Sequence, residues 1–194
     1  MNSLMQHLPI LLIAVPILMS ALMIMLRSQP QVQKVLSIAV SFTLIIFSIM
    51  LLLRVWNEGI QVYELGEWGK YGILLVADLL SAGMVVLTTC ISSLALIYSL
   101  DYIEKRSLSA TYYPLFSLLL AGLNGSFLTG DMFNLFVFFE ILLLSSCALV
   151  VANEHGGITK SSDKMEATFK YLLLNSLGSV IMLIAIASLY ATTG

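Results

Sequence analysis

Apolar runs close to 20 residues long recur from one end of this 194-residue chain to the other. That recurrence limits the fold more than any other feature. About 20 residues of helix, at about 1.5 Å each, cross a hydrocarbon core of about 30 Å. Within lipid every backbone N–H and C=O must be paired internally, so such runs fold as helices. Hydrophobic residues make up 59% of the chain and charged residues only 10%. A soluble domain carries about a quarter charged residues, so a water-facing globule is excluded.

Six segments have this character, at about 8–26, 35–53, 79–100, 113–129, 131–152 and 167–191. The expected fold is all-α: one polytopic bundle of six transmembrane helices forming a single transmembrane domain, 1–194. The first run has no basic residue ahead of it and no small-residue cleavage site after it, so it reads as a span rather than a signal peptide. Pro16 within it is tolerated in membrane helices.

The one long connection, residues 54–78, reads "RVWNEGIQVYELGEWGKYGILLVAD". Its first part is too polar to span. "QVYELG" and "YGILLV" are rich in β-formers and flank the turn-like "EWGK", which predicts a short hairpin on one membrane face. Asp78 stands where a helix N-cap belongs.

Seven of the nine basic residues fall on one side if the N-terminus is outside: Arg27, Lys34, Lys105, Arg106, Lys160, Lys164 and Lys170. Only Arg54 and Lys70 fall on the other. Basic loops favour the inner side, so both termini are expected outside, with the hairpin.

Several classes of chemistry lack their residues. Cys90 and Cys147 lie inside separate apolar runs and read as small core residues. His7 and His155 are far apart, with no ligand at metal spacing. There is no cysteine cluster, no histidine pair for haem and no glycine-rich nucleotide loop, so no cofactor is expected. Nothing is basic enough for nucleic acid.

The fifth run, "GDMFNLFVFFEILLLSSCALVV", carries Glu140 in its middle. Counting nine residues from Asp131 puts it about 14 Å deep, near the midplane. A charge there costs about 3 kcal/mol or more, and a glutamate is too short to snorkel. Its helical neighbours Phe133, Phe136, Val137, Leu144 and Cys147 are apolar, so a polar partner must come from another helix. A carboxyl poised between a dry surround, which favours the neutral acid, and a nearby cation, which favours the anion, can load and release a proton. The alternative is a permanently protonated structural acid bonded between helices.

Lys170 opens the sixth run, where it either snorkels to the interface or serves proton transfer. Asn175, Ser176, Gly178 and Ser179 follow it. They fit close helix contact or a hydrated path. Asn124 and Asn134 carry the same two readings.

These residues resemble a known family. "GDMFNLFVFFEILLLSSCALVV" is similar to the fifth-helix signature of the D subunit of Mrp-type multisubunit Na⁺/H⁺ antiporters, relatives of the proton-pumping subunits of respiratory complex I and membrane-bound hydrogenases. "FKYLLLNSLGSVIMLIAIASLYATTG" resembles the sixth helix, and "GILLVADLLSAGM" the approach to the third. The resemblance implies a plasma-membrane subunit of about fourteen helices, of which this chain corresponds to the N-terminal six. It implies that Glu140 pairs with a seventh-helix lysine beyond this sequence and that Lys170 links that pair to the inner water phase. Implied partners are other membrane subunits, with protons and Na⁺ as transported ions. Two further readings stand beside it: a proton-pumping subunit of a complex I-like NADH:quinone oxidoreductase or hydrogenase, and a structural or assembly piece with no transport of its own.

Overall fold

The computed structural model describes residues 5–66, 72–102, 109–152 and 161–193. Six helices and a two-stranded hairpin follow in the order α1 (Leu8–Met25), α2 (Pro30–Glu58), β1 (Gln61–Leu65), β2 (Ile73–Ala77), α3 (Leu79–Tyr102), α4 (Ser109–Leu128), α5 (Met132–Ala152) and α6 (Ser161–Thr193). The expected turn "EWGK", the basic residues Lys105, Arg106 and Lys160, and His155 lie outside the described residues.

Five of these helices, all but α4, are long and apolar enough to cross a membrane. The sixth is less apolar for a physical reason. α4 stands at the centre, packed against α1, α2, α3 and α5. Protein rather than lipid surrounds it, so Ser117 and Asn124 are buried on it.

The helix that holds the expected 35–53 span is longer than that segment. α2 runs on to Glu58, so residues 54–58 are helix and not loop. The polar residues that read as a connection are paired within the last turns: Arg54 Nε lies 2.8 Å from the Glu58 carboxylate, one helical turn on. The Arg54 guanidinium also donates to the Met5 carbonyl. Twenty-nine residues make a helix of about 43 Å, so its ends project beyond the hydrocarbon. Gly59 then stops it with φ of 82°, a conformation that favours glycine.

The hairpin forms as expected. β1 and β2 pair antiparallel, with Gln61 opposite Ala77 and Leu65 opposite Ile73. It is fastened to the bundle. Gly130 N–H donates to the Leu74 carbonyl at 2.8 Å, and His7 bonds to the Tyr63 hydroxyl at 2.8 Å. Asp78 caps α3: its carboxylate accepts from Ser81 N–H at 2.7 Å, while its own N–H donates to Ser81 Oγ at 2.8 Å. The backbone bond from Ser81, then that residue's side chain, hold the Asp78 carboxyl below its ordinary value.

Inside the bundle several buried polar groups answer one another across helices. Pro16 has no N–H, so the Leu12 carbonyl four residues earlier loses its helical partner. Asn124 Nδ2 of α4 donates to that carbonyl at 3.0 Å. In return Ser20 of α1 donates to the Pro114 carbonyl at 2.8 Å. Between α2 and α3, Ser41 meets Ser93 at 2.7 Å and Ser48 meets Thr89 at 2.9 Å. Such interhelical bonds contribute about 0.6 kcal/mol each.

Helices α4 and α5 approach closely at two glycines. A Cβ on Gly122 would stand 2.9 Å from Leu142 N, and one on Gly125 would strike the Phe138 ring. Gly178 on α6, by contrast, has open space around it. For the 194-residue chain in detergent, Gly122→Ala is expected to lower stability by about 1–3 kcal/mol. Gly178→Ala should leave it unchanged or raise it, by up to about 1 kcal/mol. Thermal unfolding followed by circular dichroism measures both. Equal effects would contradict this packing.

Candidate functional site

Asp131 begins α5 by capping it. Its carboxylate accepts from Phe133 N–H at 3.2 Å and from Asn134 N–H at 3.1 Å. The helix then runs 21 residues, about 32 Å, enough for one crossing. Glu140 lies nine residues in, and a mid-span depth follows directly.

Glu140 is half-buried and faces α6. Ser179 of α6 donates its hydroxyl to the Glu140 carboxylate. The partner from another helix that the apolar surroundings demand is therefore a neutral hydroxyl. The sequence pattern leaves Ser179 between close helix contact and a hydrated path, and does not single it out as this partner.

Two further polar pairs fix the register of the antiparallel seam. Tyr190 OH donates to Asp131 Oδ1 at 3.3 Å near the hairpin end. Ser146 Oγ and Tyr171 OH meet at 3.1 Å towards the far end. Glu140–Ser179 lies between them.

Lys170 is not brought to Glu140 within this chain. It pairs at 2.5 Å with Glu166, one turn earlier, and both side chains are about two-thirds exposed, at 68% and 65%. It lies nine residues from Ser179, about 14 Å along α6. Lys170 therefore marks the end of the seam remote from the hairpin.

The other candidates separate. Asn124 is fully buried but turned towards α1, where its amide serves the Leu12 carbonyl. Asn134 is buried at the start of α5 and donates to Thr129 Oγ1 at 3.0 Å. Ser176 is exposed on α6. Asn175 lies one turn from Ser179 on the same face. Its Nδ2 is buried and has no hydrogen-bond partner among the described residues.

α6 itself packs chiefly on α5. Leu174, Leu177, Ile181 and Ile184 on its other faces are each 60% exposed or more. Glu140 thus lies beneath a helix with protein on one side only.

Comparison with known proteins gives a consistent result. Residues 129–194 match a family described as "NADH:quinone oxidoreductase/Mrp antiporter, TM", and residues 70–113 match one described as "NADH-Ubiquinone oxidoreductase (complex I), chain 5 N-terminus". The chain is 36% identical over 98% of its length to the D subunit of the Na⁺/H⁺ antiporter of Alkalihalophilus pseudofirmus, covering 38% of that protein. It is 36% identical over its whole length to the D subunit of a probable K⁺/H⁺ antiporter of Rhizobium meliloti, covering 36%. Among solved structures, a chain of the Mrp complex from a Dietzia species superposes with a TM-score of 0.88 at 30% identity, over 98% of this chain and 35% of that one. A chain of the membrane-bound sulfane sulfur reductase, an archaeal respiratory membrane complex, superposes with 0.84 at 27% identity, over 97% of this chain and 38% of that one. The chain spans somewhat over a third of the length of the curated relatives it matches.

The seam register has a direct test. In a chain carrying Cys90→Ser and Cys147→Ser, Glu140→Cys combined with Ser179→Cys is expected to be joined by a short bifunctional thiol reagent, because the glutamate meets Ser179 with its carboxylate and a cysteine there stops short of a direct disulfide. Glu140→Cys combined with Lys170→Cys should not. Peptide mass spectrometry reads both, and the reverse pattern would show α6 in another register.

Proposed function

We propose that this chain, which resembles the D subunits of Mrp-type antiporters in sequence and in fold, is the six-helix part of a multisubunit cation/proton antiporter subunit. In this reading it carries a mid-membrane proton site, Glu140, in the plasma membrane. Both termini and the hairpin face outwards, as the basic-residue bias favours. The full subunit continues into further helices, and its partners are other membrane subunits.

The observation that carries this reading is Glu140 itself. A half-buried carboxyl at mid-span whose bond within this chain comes from a hydroxyl is suited to change protonation state. A fixed lysine beside it would hold it ionised; Ser179 accommodates both forms, because a hydroxyl donates to the anion and accepts from the acid. The exchanging base comes from a helix outside this chain. When that base is charged, Glu140 is held as the anion. When the base loses its proton, Glu140 takes one up, because an unpaired charge in a dry site is costly. Lys170, exposed at the inner end, gathers protons from the inner phase. Inward proton flow then drives Na⁺ or K⁺ outwards.

A second reading is favoured by the match to complex I families and to the archaeal respiratory complex. There the same carboxyl would serve a redox-driven pump, with the redox chemistry in other subunits. Cation dependence separates the two.

Glu140→Gln in the complete complex, reconstituted in proteoliposomes, is expected to reduce cation/proton exchange at least about a hundredfold while the subunits still co-purify. Exchange at the unaltered rate would remove Glu140 from the mechanism. Proton movement with no cation dependence in the unaltered complex would favour the pump.

A further inference from the structure

The face of α6 turned to α5 changes character along its length. Between Lys170 and Glu140 it presents Tyr171, Asn175 and Ser179, at i, i+4 and i+8 on one stripe. Beyond Ser179, towards the hairpin, the same stripe continues as Met182, half-buried, and Ile186, buried. It becomes polar again only at Tyr190, bonded to Asp131. One half of the seam is hydrogen-bonding and the other half is closed by apolar side chains, with Glu140 at the junction.

We propose that Tyr171, Asn175 and Ser179, with Ser146 of α5, form a proton path that serves Glu140 from the Lys170 end of the seam alone. This inference rests on the reading of Glu140 as the proton site and supplies its route.

Three observations support it. Ser179 donates to the Glu140 carboxylate, which makes it the last link. Tyr171 and Ser146 share a hydrogen bond at 3.1 Å, so the first link already bridges the two helices. Asn175 lies midway, with a buried amide nitrogen that lacks a partner among the described residues. A buried N–H without a partner is costly. A short file of waters between Tyr171 and Ser179, passing the Asn175 amide, would answer it. Successive members of the stripe are about 6 Å apart along the axis. One water joins groups at that separation by two ordinary hydrogen bonds, so the two intervals from Tyr171 to Ser179 take a file of several.

The proton balance closes without any other reactant. A proton arriving at the Lys170 end is accepted by the Tyr171 oxygen, which passes its own proton to the first water of the file that Asn175 holds. Each water passes one to the next, the last passes one to Ser179, and Ser179 passes its hydroxyl proton to the Glu140 carboxylate. Each O–H that breaks is replaced by one that forms, and the net change is one protonated carboxyl. Asn175 orients the waters and transfers no proton, so it is a positioning residue. Met182 and Ile186 offer no acceptor, so the path does not extend to Asp131.

The complete complex in proteoliposomes tests this, through the initial rate of exchange as a function of cation concentration. Asn175→Leu is expected to lower the maximal rate about tenfold, the equivalent of one lost hydrogen bond at the transfer step, with the half-saturating cation concentration unchanged. Asn175→Ser, which still holds a water, should recover most of the rate, and Leu177→Ala on the exposed face should change nothing. If Asn175→Leu fails to assemble, Tyr171→Phe, which removes one hydroxyl, carries the same expectation. An unaltered rate in the variant that assembles overturns the path, as do equal losses in Asn175→Leu and Asn175→Ser, which would indicate packing. Loss in Glu140→Gln without loss in these variants overturns the route alone. Full exchange in Glu140→Gln overturns the reading beneath it.

Discussion

A polar group surrounded by hydrocarbon has no water to turn to, and this bundle is arranged around that constraint. Pro16 removes a helical N–H and leaves the Leu12 carbonyl open; Asn124 closes it from α4. Ser41 with Ser93 and Ser48 with Thr89 satisfy one another across α2 and α3. Each repair also fixes how two helices meet. The core is therefore specified by hydrogen bonds as well as by the close approach of α4 and α5 at Gly122 and Gly125. α4 can be the least lipid-like helix because it touches so little lipid.

Glu140 is the exception, and the proposed function rests on it. Its hydroxyl partner satisfies the group without fixing its charge, unlike a neighbouring lysine. The seam it occupies is covered by α6, whose outer faces are apolar and open. A helix in that position sits naturally between this bundle and whatever completes the site. The hairpin, tied to the α4–α5 turn through Gly130 and Leu74, closes the opposite end and anchors Asp131, from which the depth of Glu140 is measured.

Much of this could be read from the chain. Spans declare themselves because lipid selects for composition, and the hairpin because β-formers flank a turn. The Asp78 cap was legible from position, and Ser81 completes it. The final turns of α2 were not, because Arg54, Asn57 and Glu58 are what a loop would contain. Only their spacing on a helix lets Arg54 reach Glu58. Glu140 was conspicuous as a charge in lipid territory. Ser179 was not, since a hydroxyl in a membrane helix commonly bonds its own backbone. Its role depends on the α5–α6 register, which no local pattern encodes. Lys170 drew notice for its charge, yet the structure pairs it with Glu166 at the surface. Asn124 shows the same limit: its sequence position leaves packing and a hydrated path open, and only the structure shows it answering the Leu12 carbonyl.

The central claim is that Glu140 gains and loses a proton as the full complex works. Infrared difference spectroscopy of the reconstituted complex, stepped between high and low cation concentration, measures it most directly. The account requires a protonated-carboxyl band that appears and disappears with the step and is missing in Glu140→Gln. A band that is present in the unaltered complex, is lost in that variant and stays constant through the step would contradict it.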